Sequence, residues 1–296
     1  MKIEKDRMIG IIGIISASIL WSTAGFLIKL VNWTPVPIAG IRSLLAAILI
    51  IIYLKKPKFT FSKPQIIGAL AMAATMFLFV GANKMTTSAN AILLQFTAPV
   101  FVALLSSFVL KEKVKRSDWL VIAIVIGGLS LFFLDEMTAG NLLGNIFAIM
   151  SGFTFSVMIV SLRYQKDGSP VETTLLGNIL AFLIAIPFIV KAPMPDARSI
   201  IGLLLLGIFQ LGLAYIVYAN AIKRVTAMEG VLLNVVEPLF NPIWVFLLIA
   251  EVPSRNAIIG GVIVLSAVTL RSIFLGKSES GAAGTGTAGT DGPMGT

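Results

Sequence analysis

The sequence predicts an all-α membrane protein of ten transmembrane helices arranged as two inverted five-helix repeats. Three observations predict it. The composition is 57% hydrophobic and 12% charged, with a mean hydropathy of +0.96, whereas a soluble domain carries about 45–50% apolar and about 25% charged residues. Apolar stretches long enough to cross a bilayer follow one another along the chain. The two halves also resemble each other at a fixed offset.

A spanning helix needs about 20 mostly apolar residues. Such stretches occur at 8–31, 35–54, 64–84, 89–110, 117–134, 141–163, 172–190, 198–220, 227–249 and 255–275. The first follows Lys2, Lys5 and Arg7, but its apolar run is too long for a signal peptide and ends at Lys29 and Asn32-Trp33. The second opens after the turn Thr34-Pro35-Val36-Pro37. The third and fourth precede the basic run Lys111, Lys113, Lys115 and Arg116, and the fifth closes the first half. Gly168-Ser169-Pro170 separates the sixth from the seventh, and Pro193-Met194-Pro195 the seventh from the eighth. The ninth and tenth complete the second half. Residues 8–134 and 141–275 are read as the two repeats, and the Gly/Thr/Ala-rich residues 277–296 as a disordered tail.

Lys and Arg are retained on the cytoplasmic side of a membrane. With the N-terminus inside, seventeen basic residues fall in cytoplasmic segments and four, Lys84, Lys191, Arg198 and Arg255, in outer loops. Both termini are therefore expected in the cytoplasm, and the chain in a cell (inner) membrane. The +9 net charge reads as a topology signal, not as a nucleic-acid surface, because it is dispersed between apolar segments. Absence of Cys and His removes thiol nucleophiles, imidazole bases and the usual soft metal ligands. No enzyme, metal or cofactor is expected.

Shifting the chain by 139 residues superposes Gly68 on Gly207, Lys84 on Lys223, Thr87 on Thr226, Pro99 on Pro238, Glu112 on Glu251 and Arg116 on Arg255. Five helices per repeat is an odd number, so the second copy enters from the opposite face. This is how secondary transporters build alternating access, with the solute held near the midplane between repeats.

Asn234, Glu237 and Asn241 share one face of helix 9, with Glu237 about ten residues into the membrane. A carboxyl at that depth costs a few kcal/mol and belongs against a wet cavity or a partner. Glu229 lies nearer the helix start and reads as a solvated interfacial charge. Pro99 and Pro238 each remove a backbone bond to the residue four before, Gln95 and Asn234, leaving carbonyls beside amide side chains. Pro99 and Pro238 read equally well as kinks that shape the bundle. On helix 1, Ser18, Trp21, Ser22 and Gly25 form a small and polar stripe in which Trp21 offers an aromatic face to the solute path. Helix 8 offers Gln210, Tyr215 and Tyr218, of which Gln210 and Tyr218 share a face, as further cavity candidates, with the two tyrosines taken as binding residues. Arg42, a few residues into helix 2, reads either as a gate paired with a carboxylate or, in preference, as a structural residue snorkelling outward.

With Trp21-Ser22, Arg42, Pro99, Glu237-Pro238, Glu112 and Glu251, the chain resembles the drug/metabolite transporter superfamily, and within it the ten-helix branch built of two EamA-type domains. The resemblance implies a bundle in which helices 1, 3, 4, 6, 8 and 9 surround a central cavity, with helices 5 and 10 at the periphery. It also implies a transporter of amino acids, drugs or other metabolites, mostly by export. The alternatives are import of choline-like ammonium compounds and, from a different class, a membrane sensor or scaffold. Sugar phosphates, which some relatives exchange, rank low, since they would need several intramembrane cations. Once the basic residues assigned to cytoplasmic segments and outer loops are set aside, only Lys29 and Arg42, both near the outer side, are left. The expected partners are a small solute and membrane lipid, with a proton as candidate coupling ion. Helix 4 has Ala98-Pro99 where helix 9 has Glu237-Pro238, so any carboxylate role rests on the second repeat.

Overall fold

In the computed structural model the chain is described over residues 2–132, 134, 141–168, 170–240, 244 and 255–284. Every element among them is helical. The first half holds α1 (Lys2–Trp21), α2 (Ala24–Leu30), α3 (Pro35–Leu54), α4 (Lys63–Met85), α5 (Ser88–Gln95), α6 (Ala98–Leu105) with a π-helical end at Ser106–Leu110, and α7 (Arg116–Phe132). The second holds α8 (Leu142–Tyr164), α9 (Pro170–Lys191), α10 (Ala197–Leu205), a π-helical segment Leu206–Leu213, α11 (Ala214–Ala221) with a 3-10 turn to Arg224, α12 (Ala227–Leu233) and α13 (Arg255–Gly284). Seven helical stretches among these are long and apolar enough to cross a membrane, for example Glu4–Leu30, Asn90–Leu110 and Ala197–Arg224. The helix of α13 continues to Gly284, into the segment expected to be disordered; residues 285–296 lie outside the described residues.

Local chemistry sets the ends. Pro35 and Pro64 occupy first-turn positions where the missing N–H costs nothing, in helices whose N-caps, Thr34 and Ser62, are extended. Thr87 and Thr226, one offset apart, cap α5 and α12 by accepting from Asn90 N and Glu229 N. Lys55 and Lys111 end α3 and the π-helical turn after α6 at φ 58° and 57°, where Gly is the commoner choice.

In packing, α4 lies mainly on α8 and α9, α3 on α9 and the Leu206–Leu213 segment, and α1 on α11. Helices α7 and α13 pack chiefly on one another, which is the peripheral placement expected for helices 5 and 10. Close crossings need small residues because lipid offers no hydrophobic push between helices. A Cβ on Gly68 would meet Thr173 Cγ2 at 2.8 Å and Ser161 Cβ at 2.9 Å. On Gly207 it would overlap Leu45 Cβ and lie 3.0 Å from the Arg42 carbonyl oxygen. Three ion pairs, Arg7–Glu229, Arg163–Glu112 and Arg271–Asp118, each join the first half to the second.

The crossing at Gly207 makes a stability prediction. Ala normally improves a helix by about 1 kcal/mol over Gly, but overpacking costs about 1–3 kcal/mol. Gly207→Ala should therefore lower the thermal midpoint of the purified protein by a few degrees. Gly127→Ala, with nothing within 4 Å of the new methyl, should leave it level or raise it. Equal midpoints for the two variants would contradict a tight contact at Gly207.

Candidate functional site

The helices are least regular where they meet. The first breaks at Ser22–Thr23, whose hydroxyls donate to Ile19 O and Leu20 O. The fourth predicted helix breaks at Phe96–Thr97, between α5 and α6 and just before Ala98-Pro99, and the ninth predicted helix at Asn234–Val235, after α12 and just before Glu237-Pro238. The eighth predicted helix widens into π-helix over Leu206–Leu213, between α10 and α11. At membrane depth such backbone is tolerated only where protein or cavity satisfies it, and π-helical turns collect at functional sites. The proline-freed carbonyls do not open into a cavity, however. Asn234 O accepts from Glu237 N at 2.9 Å, and the Gln95 carbonyl faces α8, only 2.6 Å from where a Cβ on Gly152 would sit.

These irregular stretches surround a cavity of about 40 Å³. At about 10–15 Å³ per water it holds a few waters and no larger solute. Its aromatic side is Trp21, Phe79, Phe155 and Tyr215. The Trp21 ring centroid lies 5.0 Å from Tyr215, 4.9 Å from Tyr218 and 5.9 Å from Phe155. Its polar side is Arg42, Thr75, Gln95, Gln210 and Glu237, and Met76 and Leu211 complete the lining. Glu237 is the one acid and Arg42 the one base among these residues.

Arg42 is not at the surface as a snorkelling side chain would be. It is 1% exposed, the largest fully buried side chain among the described residues. Its Nη2 reaches only the Met76 sulfur, at 3.2 Å, while Nε and Nη1 have no hydrogen-bond partner among the described residues. Glu237 is 9% exposed and is joined by no ion pair among the described residues. Tyr215, 2% exposed, lines the same cavity.

Of the residues singled out from sequence, Trp21, Arg42, Gln95, Tyr215 and Glu237 thus line one cavity. Tyr218 and Asn234 sit beside it on the side of the N-terminus. Tyr218 stacks on Trp21, and Asn234 Oδ1 accepts from Ser18 Oγ at 3.1 Å. Pro99 and Pro238 are buried next to the breaks. Asn241 lies outside the described residues. Gln210, offered with the two tyrosines, lines the cavity as well, and Thr75, Met76, Phe79 and Phe155 complete the site without having been singled out for it.

Beyond Asn234 the bundle is closed at the end that carries the N-terminus. Glu229 is not solvated as expected but 4% exposed. It takes Arg7 Nε at 3.0 Å and closes a capping box with Thr226. Glu112 accepts from Arg163 Nε at 2.9 Å and from Ala227 N at 3.0 Å. Asp118 accepts from Arg271 Nε at 2.9 Å. A charged cavity of about 160 Å³ is lined by Glu112, Asp118, Glu229 and Arg271, so the three pairs gather in one place.

The model of the EamA-like transporter family matches residues 8–134 and again residues 142–273. The chain belongs to this family. It is similar to the uncharacterized transporter YdfC of Bacillus subtilis, 25% identical over 273 residues, covering 87% of this chain and 89% of that protein. An uncharacterized transporter of Archaeoglobus fulgidus is 24% identical over 197 residues, covering 66% of this chain and 71% of that one. The chloroplastic triose phosphate/phosphate translocator of Spinacia oleracea is 28% identical over 198 residues, 61% of this chain and about half, 48%, of that protein. A crystal structure with a TM-score of 0.75 and 18% identity aligns with 91% of this chain and 97% of its own, so the fold is shared. The chain is accordingly a multi-pass membrane transporter of a small-molecule solute and not an enzyme.

Proposed function

We propose that this transporter moves small organic solutes by alternating access through the cavity between Trp21, Arg42 and Glu237, and that it works as an exporter in the cell membrane with both termini in the cytoplasm. The observation that carries the reading is the Glu237 carboxyl, without an ion pair among the described residues, in a cavity where four helices lose regularity. A group so costly to bury is retained where it meets a solute or a proton.

Inverted repeats are supported by the packing, which pairs up when the halves are exchanged. The third predicted helix on the sixth answers to the eighth on the first, and the third on the seventh answers to the eighth on the second. The paired caps Thr87 and Thr226 and the paired breaks before Pro99 and Pro238 follow the same exchange. Ten helices remains the reading, with α7 and α13 as the fifth and tenth. Export is the direction that the family resemblance implies. Closure of the N-terminal end by three ion pairs supports a state shut toward the cytoplasm.

The cavity suits a solute of low net charge with an apolar or aromatic body. A phosphate ester of the kind named for the translocators would need more than one cation, and Arg42 is the one base among the lining residues. An importer of choline-like cations is favoured by a different feature, the aromatic wall beside Glu237.

The orientation is testable in this Cys-free chain. A cysteine at Met194, which is 92% exposed, should react with an impermeant thiol reagent from outside the cell, and one at Ser62 only from inside; the reverse pattern would overturn the topology.

The role of Glu237 is tested with Glu237→Gln, which keeps size and hydrogen bonding but cannot ionise. In proteoliposomes, solutes selected by thermal shift from amino acids, quaternary amines and nucleosides should be transported at least about tenfold more slowly by this variant, as expected for loss of a charge-assisted contact. Alternatively their transport should lose its response to an imposed proton gradient. Wild-type rates with an unchanged response would remove Glu237 from the mechanism.

A further inference from the structure

Among the described residues the Arg42 guanidinium is a buried cation without an anion. A buried charge normally finds a counterion and hydrogen bonds, because the desolvation penalty otherwise stands unopposed. Here two of its three nitrogens bond nothing among the described residues and the third touches only a thioether. The one acid lining the same cavity, Glu237, is not paired with it. Packing does not require a guanidinium at this point: its neighbours Met76 and Leu211 are apolar, and a methionine would fill the space at no electrostatic cost. Gln210, also lining the cavity and 4% exposed, carries an Oε1 that likewise lacks a partner.

We infer that Arg42 is the binding site for a carboxylate of the transported solute, which therefore carries an anionic and a cationic group at once. The inference rests on the cavity being the solute path and adds the charge pattern the solute must have. A planar guanidinium presents paired N–H donors that match the two oxygens of a carboxylate, a fit no ammonium reproduces. Each fork of the guanidinium combines Nη2 with either Nε or Nη1; Nε and Nη1 have no partner among the described residues and Nη2 holds only the weak thioether acceptor, so a carboxylate gains a fork at the loss of that one contact at most. Glu237 supplies the complementary acceptor for an ammonium, and the Gln210 carbonyl oxygen is a second acceptor on the same wall. Arg42, Tyr215 and Glu237 line one space and no ion pair joins the two charges among the described residues, so both are available to a single solute. Since that space now holds about 40 Å³, the site must widen to admit the solute and contracts around the charges once it leaves. Such an arrangement rejects a simple cation, because Arg42 would then stay buried, unpaired and repelled.

The test has one arm that needs no ligand. If Arg42 has no protein partner, Arg42→Met removes an uncompensated charge, so the thermal midpoint of the purified protein should stay level or rise; a fall of several degrees would show a structural role and overturn the inference. The second arm compares probes that differ only in the carboxylate, glycine betaine against choline and phenylalanine against phenethylamine, by competition for uptake into proteoliposomes. The carboxylate-bearing member of each pair should compete at least about tenfold better in the wild type, the size expected for a charge-assisted bidentate contact, and the advantage should vanish in Arg42→Met and be largely lost in Arg42→Lys. Choline and phenethylamine competing as well as their partners, with that competition abolished by Glu237→Gln, would overturn the role of Arg42 and leave the cavity as the path. Competition indifferent to Glu237→Gln would instead reject the path, while the midpoint of Arg42→Met still decides whether the guanidinium is structural.

Discussion

The structure turns on the cost of keeping charge inside a membrane bundle. In an aqueous protein an unpaired guanidinium or carboxyl turns toward water, but a spanning helix has lipid on one side and protein on the other. Arg42 and Glu237 therefore point inward, and the helices that carry and face them give up regular backbone to make room. Three kinds of break are used. A Ser-Thr pair bends the first helix through hydroxyls that compete for its carbonyls, proline interrupts the fourth and ninth, and a π-helical stretch shifts Gln210 and Leu211 on the eighth.

Charge is handled differently at the end that carries the N-terminus. There Glu112, Asp118 and Glu229 are each paired, and each of these pairs joins one half of the chain to the other. Breaking one such pair from one side strands a buried charge at a cost of about 3–5 kcal/mol. Opening this end thus has to exchange ion pairs for water, which separates a closed from an open state instead of allowing a gradual loosening. Between latch and cavity lie the Ser18–Asn234 bond and the Trp21–Tyr218 stack, a neutral floor that moves without a change in solvation of charge.

Much of this was legible in the sequence, and the parts that were not share a cause. Apolar length marked the helices, and proline marked the breaks before Glu237 and after Gln95. The depth of Glu237 and the small-residue stripe around Trp21 brought both to the cavity. Thr75, Met76, Phe79 and Phe155 carried no such signal, since lipid and protein interior are equally apolar and periodicity does not tell which face is which. The break at Ser22–Thr23 had a readable cue in two adjacent hydroxyls. Arg42 and Glu229 were misjudged for one reason: whether a charge snorkels, pairs or stays alone depends on residues far along the chain, here Met76 and Arg7. Asn241 and Glu251 fall outside the described residues.

Alternating access to the cavity is the central claim, and Thr75 is placed to report it. Its hydroxyl bonds Thr154 at 2.8 Å at the cavity wall, 2% exposed, and the chain has no cysteine of its own. The direct measurement is the reaction of Thr75→Cys with an impermeant thiol reagent applied separately to each side of oriented proteoliposomes. The account predicts labelling from both sides, slower from the side closed by the Arg7–Glu229 and Arg163–Glu112 pairs and faster from that side when Glu112 is replaced by Gln. Labelling from one side alone, unaffected by Glu112→Gln, or from neither, would contradict it.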